Sequence, residues 1–323
     1  MSDYGNILYH LEQCKEAWTE GNIMDAAIDA YWCIQYCKNG EPYGASPSEL
    51  SCCEGEAWEI YRKATKTFKK SVLSKTTYVC GTICPKLLWL YKNKYNLRVT
   101  SPETQKKFEG GHNIGNLAQK LFPDGIDASN LEGVNSERII DMARMELPFN
   151  IRQQLWIDKT NRLYKDHTVY EAAFIYDDVF AAVDILTSGE NGHVAYEVKS
   201  SKIITETFIK DCALQYYVIN KNCPLEDFFL IYLNETYLEK IKIPLDEINE
   251  TNADINQLFV KESVLSKILP LQKDVENEVK MCKSILKKGE PDIKMGEQCS
   301  SPYDCMYRPY CSSNGGDFGY WLK

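Results

Sequence analysis

The sequence lacks any hydrophobic run long enough to cross a membrane. Its best apolar stretch, Phe228–Leu233, has only the length of a strand, whereas a spanning helix needs about 18–20 residues. The first ten residues also lack the basic and apolar regions of a secretory leader, which predicts a cytoplasmic protein with no membrane contact. Aromatic residues, at 12%, are too frequent for a chain that never packs, so we expect one or two globular domains.

Acidic residues are nearly absent between Tyr61 and Lys107. This block contains twelve Lys and Arg residues and one acid, Glu103, a local net charge of +11, although the whole chain has a net charge of −9. Such segregation suits a protein that binds a polyanion along one face. A solvated helical surface is the alternative interpretation.

The N-terminal region has the pattern of packed helices. Two stretches with apolar residues at intervals of three and four are separated by a turn at Gly21-Asn22, and a third helix is expected near Glu54–Lys70. We assign residues 1–71 to a helical N-terminal extension, available to a partner protein, and residues 72–323 to the main domain.

The centre of the main domain has the composition of strands. Strands are predicted at Thr168–Tyr176, Val179–Leu186, His193–Lys199, Phe228–Leu233 and Lys240–Ile243. A Gly-rich turn makes the second and third of these a hairpin. Helices are predicted over Glu206–Asn220 and residues 252–288. This order of elements predicts an α/β fold with a mixed sheet.

The sharpest motif joins Asp184 to Glu197 and Lys199. Residues i and i+2 of a strand share a face, so Glu197 and Lys199 point the same way, and the hairpin returns the chain beside Asp184. Carboxylate oxygens are ligands for Mg²⁺ or Mn²⁺, and an ammonium group can orient a water molecule. Such a site suits phosphodiester hydrolysis, in which a cation polarises a phosphoryl oxygen. Glu171 is a candidate third carboxylate, and Gln215 is a candidate polar contact.

The surroundings of this motif separate two interpretations. Charges on the wet face of an ordinary hairpin would produce the same pattern. Asp184 and Glu197, however, lie within the apolar stretches AAVDIL and VAYEVK, where an unpaired charge is costly unless it binds something.

Cysteines form the second pattern. The chain has 13, and an odd number argues for free thiols or metal ligands rather than a disulfide framework. Cys299, Cys305 and Cys311 are too widely spaced for a typical zinc site, whereas thiolates are the usual ligands of iron–sulfur clusters. The best candidate for a fourth ligand is Cys84, and Cys80 is the second choice. Reduced cysteines in an ordinary tail, or a zinc-clasped structural protein, are the alternatives.

These segments together resemble the RecB-like nucleases that carry a [4Fe-4S] cluster. The best-known members are the CRISPR-associated exonucleases of the PD-(D/E)XK superfamily, and this chain is most similar to an uncharacterised bacterial branch. The similarity covers about residues 72–315. In chain order, the similar strings are LSKTTYVCGTICPKLLWLYKNK, KKFEGGHNIGNLAQKLFPDG, VYEAAF, AVDIL, YEVKSS, DCALQYYV and CSSPYDCMYRPYC.

The resemblance implies a restriction-endonuclease-like fold, a mixed-sheet core flanked by helices, and a DNA exonuclease with Mg²⁺ or Mn²⁺. Single strands or ends of DNA are the favoured substrates. It also implies that Asp184 and Glu197 bind the metal and that Lys199 assists the attacking water, with Glu171 and Gln215 in support. The implied ligands of the cluster are Cys84, Cys299, Cys305 and Cys311.

Two departures from the family pattern concern the metal site. His112 lies too early for the metal-ligating histidine, where Gly115 stands, and Ile219 replaces a tyrosine after the glutamine. The alternative function is a non-cleaving module that binds nucleic acid or protein on a nuclease fold. In the basic block, the lysines expected to contact phosphates are Lys86, Lys92 and Lys94.

Overall fold

The computed structural model describes residues 3–39, 45–68, 72–99, 113–131, 148–301 and 304–312. Its helices are, in chain order, α1 (Asp3–Thr19), α2 (Ile23–Asn39), α3 (Pro47–Lys66), α4 (Lys75–Ile83), α5 (Pro85–Asn93), α6 (113–119), α7 (Phe149–Leu163), α8 (Glu206–Ile219), α9 (Glu235–Ile241), α10 (Ile255–Leu258), α11 (Leu265–Ile268), α12 (Gln272–Leu286) and α13 (Arg308–Ser312). Its strands are β1 (Leu73–Ser74), β2 (Ile126–Asp127), β3 (Val169–Tyr176), β4 (Val179–Ser188), β5 (His193–Lys199), β6 (Leu225–Leu233) and β7 (Phe259–Ser263).

The chain divides into two units. The first comprises Met1–Lys70 and Asn130–Lys159, and the second comprises Ser71–Ser129 and Thr160–Lys323. The break after residue 70 falls beside the boundary drawn from the sequence. The segment Asn130–Lys159 belongs to the first unit, although the sequence analysis gave it to the main domain.

The described part of the first unit is helical, as predicted for the N-terminal region. Gly21 adopts a φ of 79° between α1 and α2, a conformation that costs glycine little. Ser46 begins α3 with a capping box, in which its hydroxyl accepts the Glu49 N–H and the Glu49 carboxylate accepts the Ser46 N–H. Helix α3 therefore starts at Pro47, earlier than expected. The core includes Ile7, Leu11, Cys14, Trp32, Ile34, Ala57 and Leu155.

A seven-stranded mixed sheet organises the described part of the second unit. The strand order is β2-β3-β4-β5-β6-β7, and β1 pairs with β4 outside this path. Strands β3, β4 and β5 form an antiparallel meander, and β6 runs parallel to β5 after the crossover helix α8. The predicted α/β class and the mixed sheet are confirmed, and so is the β4–β5 hairpin.

Two local predictions are wrong. The segment Lys240–Ile243 is not a strand, because α9 runs to Ile241 and Lys242 then ends it with a left-handed φ of 54°. The Asn234 side chain stabilises the start of this helix by accepting a backbone N–H. The region 252–288 is not helical throughout, because it contains β7, which pairs antiparallel with β6. Of the β7 side chains only Phe259 is buried, and the other four are partly or fully exposed.

Helices beside the sheet position the elements that carry the site. Helix α4 packs against α8 and α12. Gly81 permits this approach, because a Cβ atom there would lie 2.4 Å from the Cys282 Sγ. Large buried side chains of this unit include Tyr78, Leu88, Phe174, Leu214, Phe228 and Val279, and each contributes about 1.5–3 kcal/mol by its burial. None of the helices in the described ranges is both long and apolar enough to cross a membrane.

Candidate active site

Three carboxylates face one another across β3, β4 and β5. Glu171 stands between the β3–β4 pairs Tyr170–Ile185 and Ala172–Val183, at the position opposite Asp184. One position beyond the last β4–β5 pair, Asp184 lies opposite Glu197. Opposite residues of antiparallel strands share a face of the sheet. The hairpin thus brings together the acidic residues singled out in the sequence.

Glu197 is the centre of a charge network. Its side chain is 2% exposed, and its Oε1 accepts hydrogen bonds of 2.7 Å from both Lys75 Nζ and Lys199 Nζ. Lys199 Nζ also donates to Asp211 Oδ2 at 2.8 Å, and Lys75 Nζ lies 3.7 Å from that oxygen. Burial alone would raise the pKa of Glu197, but the ammonium groups of Lys199 and Lys75 hold it below its usual value. Glu197 is therefore an anion at neutral pH.

The pKa values of the two lysines are shifted by the same network of charges. Burial alone would lower the pKa of Lys199, but Glu197 and Asp211 raise it well above its ordinary value. The pKa of Lys75 is likewise raised by Glu197 against the effect of burial. Both side chains are therefore ammonium ions, which suits them to hold anions and not to accept a proton.

Asp184 differs from Glu197 in the direction of its pKa shift. Its Oδ2 accepts the Val198 N–H at 2.6 Å. Burial, followed by the charge of Glu197, raises the pKa of Asp184 well above its usual value, and Lys75 opposes this shift. The pKa values of the two opposed acids therefore shift in opposite directions, so Glu197 ionises more readily than an ordinary acid and Asp184 less readily.

Glu171 has an unusual backbone and an unusual acidity. Its φ of 51° lies in the left-handed region, which is rare for a residue with a side chain and costs about 1–3 kcal/mol. Burial, followed by the charges of Glu197 and Asp127, raises its pKa from 4.5 to about 7. The strained residue thus lies beside the network, where neighbouring negative charges disfavour its ionisation.

Two of the residues singled out in the sequence carry buried polar atoms that have no hydrogen-bond partner within the described ranges. They are Glu197 Oε2 and both amide atoms of Gln215, which lies on α8 and is fully buried. Buried polar groups almost always have partners, because an unpaired one costs about 1–3 kcal/mol. The unpaired carboxylate oxygen is thus suited to an ion or a water molecule.

Two members of the network, Lys75 and Asp211, were missed in the sequence analysis. Asp211 had a usable signal, since it precedes Gln215 by four residues on a predicted helix, and such residues share a face. Lys75 had none, because it lies 122 residues before Glu197 and its segment carries no strand or metal-ligand pattern.

The four cysteines expected to act as ligands lie together. Cys84, Cys299, Cys305 and Cys311 line one cavity, which Lys86 also borders. The pKa of Cys305 is raised by burial and by the neighbouring thiols, and the pKa of Cys311 is raised chiefly by burial. Cys80, the second choice, is not among the residues that line the cavity; burial, followed by Cys305, raises its pKa to about 12.

Polar contacts tie the C-terminal segment to α5. The Glu290 carboxylate accepts hydrogen bonds from Lys94 Nζ at 3.2 Å and from the Tyr310 hydroxyl at 3.0 Å, and it forms an ion pair with Lys86 Nζ at 3.2 Å. Lys86 and Lys94, expected to contact phosphates, are thus engaged within the protein. Lys92 is exposed.

The evidence for a metal site is divided. No group of three or more His, Cys, Asp or Glu side chains in the described ranges is arranged to hold a metal ion. The Asp184–Glu197 pair does offer oxygen donors, one of them unpaired, which fits a hard cation that keeps some of its water ligands. His112 lies outside the described residues.

Comparisons with known proteins do not assign this chain to a family. No protein-family model matches the chain, and no curated protein is significantly similar to it. The fold and site define a mixed α/β protein with a buried acid–lysine network on its sheet and a cavity lined by four thiols.

Proposed function

We propose that the protein is a metal-dependent nuclease that hydrolyses phosphodiester bonds in DNA, with the exonuclease action that its sequence resemblance implies. The observation that carries the proposal is the buried Glu197 carboxylate, which stands opposite Asp184 and accepts Lys199 at Oε1, and whose other oxygen, Oε2, has no partner among the described residues. Paired acids beside an ammonium group are suited to phosphodiester hydrolysis with a divalent cation.

A PD-(D/E)XK fold is part of the proposal. Its support is a mixed sheet flanked by helices, in which one strand carries Asp184 and the next carries Glu197 and Lys199. The site therefore lies where two neighbouring antiparallel strands present their acids to each other.

Asp184 and Glu197 are the residues that would hold Mg²⁺ or Mn²⁺. When bound, the cation would polarise a phosphoryl oxygen and lower the pKa of water. Its charge would also oppose the raised pKa of Asp184 and so favour the ionised carboxylate. Lys199 is already fixed between Glu197 and Asp211 and would orient the attacking water. The Gln215 amide is a donor and acceptor for groups entering the site.

A structural [4Fe-4S] cluster is the second part of the proposal. Its support is that four cysteines, Cys84 at the start of α5 and three from the C-terminal segment, line one cavity. Thiolates are the donors that such a cluster needs. Cluster ligation would add to the Glu290 contacts that fasten the C-terminal segment to α5. Iron and zinc analysis of the purified protein separates this cofactor from a zinc clasp.

One observation favours the second candidate, a non-cleaving module that binds nucleic acid or protein. Lys75 and Lys199 both bond to the same Glu197 oxygen, so the network is partly neutralised by the protein's own cations. A charge network kept for stability would have this form. Binding of DNA without cleavage is the result that supports it.

The deciding experiment measures cleavage of end-labelled single- and double-stranded DNA with Mn²⁺ by protein purified without air. Lys199→Met should abolish cleavage, because it removes the ammonium group that would orient the water. The matched control is Lys202→Met, which removes a surface lysine paired with Glu235 at 3.3 Å. Circular dichroism verifies that each variant is folded.

Cleavage by the wild type and the control, but not by Lys199→Met, supports the nuclease. Cleavage by all three proteins would contradict the assigned site. If all three proteins bind DNA but do not cut it in the presence of metal, the nuclease proposal is wrong and the non-cleaving module is supported.

A further inference from the structure

Lys75 is the cation of the network that comes from outside the β4–β5 hairpin. It is the first residue of α4, and the capping box of Ser74 and Thr77 fixes the start of this helix. The preceding strand β1 pairs parallel to β4, with Leu73 beside Val179. This short pairing delivers the Lys75 side chain to the buried acid on β5.

The two lysines hold Glu197 in different ways. Lys199 is 15% exposed and donates to two carboxylates, those of Glu197 and Asp211. Lys75 is 34% exposed and, among the described residues, donates a hydrogen bond only to Glu197, since its 3.7 Å distance from Asp211 is too long for one. Lys75 is thus the more exposed of the two lysines and makes fewer hydrogen bonds than Lys199.

The positive charge of Lys75 also lies where it would repel a cation bound by Glu197. Its ammonium group lies 2.7 Å from Glu197 Oε1, and a metal ion bound by the same carboxylate would face that positive charge at short range. Like charges at such distances repel strongly where water is partly excluded. An ammonium group that neutralises an acid in the metal-free protein therefore weakens metal binding to the same acid.

We propose that Lys75 is the resident counter-ion of Glu197, which stabilises the metal-free site and competes with a divalent cation for this carboxylate. The proposal rests on the proposed function in that it requires a cation site at Asp184 and Glu197. Lys75 is a positioning residue in this account, and it sets the affinity of the site for the cation.

The test is calorimetric titration of Mn²⁺ into the full chain. Lys75→Gln removes the charge but keeps a hydrogen-bond donor, Lys75→Met removes both, and Lys75→Arg keeps the charge. Loss of the repulsion should tighten Mn²⁺ binding by about tenfold or more in the Gln and Met variants, whereas Lys75→Arg and the surface control Lys202→Met should match the wild type. A second readout is the melting temperature of metal-free protein, which should fall in Lys75→Met.

The outcomes separate this inference from the proposed function. If wild-type binding of Mn²⁺ is absent, or is unaffected by Asp184→Asn, there is no cation site at these acids, and both the nuclease and the competition are refuted. If Asp184→Asn abolishes binding, but both Lys75→Gln and Lys75→Met bind Mn²⁺ as weakly as the wild type or more weakly, only the competition is refuted.

Discussion

Replacement of Glu171 by glutamine tests the electrostatics of the acid network without any assumption about function. Glutamine has nearly the same shape as a protonated glutamate, and the backbone strain at this position is common to both proteins. The difference between them is therefore the cost of ionising a carboxyl group that is buried beside Glu197 and Asp127.

The size and sign of the effect follow from the pKa. Folding raises the pKa of Glu171 from 4.5 to about 7, so the folded protein binds more protons than the unfolded chain between these values. Stability then falls as pH rises through this window, by about 3 kcal/mol in all and by about 2.5 kcal/mol between pH 5 and 8. The Glu171→Gln variant does not lose this stability as the pH rises, because glutamine does not ionise. We expect the variant to be more stable than the wild type at pH 8, and by much less at pH 5.

The assay is urea unfolding followed by circular dichroism, with a chelator present to keep metals out of the site. The matched control is Glu239→Gln on the exposed face of α9, which should change the free energy of unfolding little at either pH. A Glu171→Gln variant that is equally or less stable than the wild type at pH 8 would refute the reasoning. A stabilisation of the same size at pH 5 and pH 8 would also contradict it, because the gain would not come from ionisation.

Three further predictions concern the cysteine cavity, the contacts of Glu290 with α5 and Tyr310, and the buried amide of Gln215. Cys305→Ser should lower the iron content and the absorbance near 400 nm of protein purified without air, whereas Cys52→Ser, at an exposed thiol, should leave both unchanged. Glu290→Gln should lower the free energy of unfolding by about 1–2 kcal/mol in urea titrations, because it weakens contacts to two lysines and a tyrosine. Gln215→Leu should raise the free energy of unfolding by about 1 kcal/mol, because it removes two unpaired buried polar atoms. Cleavage of DNA should fall in the same variant. A loss of stability would show that the amide has a partner.

The elements that a periodic pattern marks were predictable from the sequence. The three strands of the meander alternate or carry β-branched residues, and the turn between Ser188 and Gly192 fixes a hairpin, so the approach of Asp184 to Glu197 followed directly. The strand β7 was missed because it is a five-residue segment among helices, too short for its period to outweigh its surroundings. The alternating Lys and Ile residues of Lys240–Ile243 favour a strand, but the Asn234 cap starts a helix that runs to Ile241.

The chemistry of the site was less predictable than its backbone, because it depends on contacts between distant segments. The motif indicated that Glu197 and Lys199 share a face, but not that Lys75 occupies the same carboxylate oxygen, since that contact requires the two-residue pairing of β1 with β4. The raised pKa of Glu171 likewise follows from its burial and its neighbours, which no spacing in the chain reveals. A motif therefore names the donors of a candidate metal site, whereas the protein's own cations decide how strongly those donors bind. For this reason the affinity for Mn²⁺, and not the presence of the motif, is the quantity on which the proposed function depends.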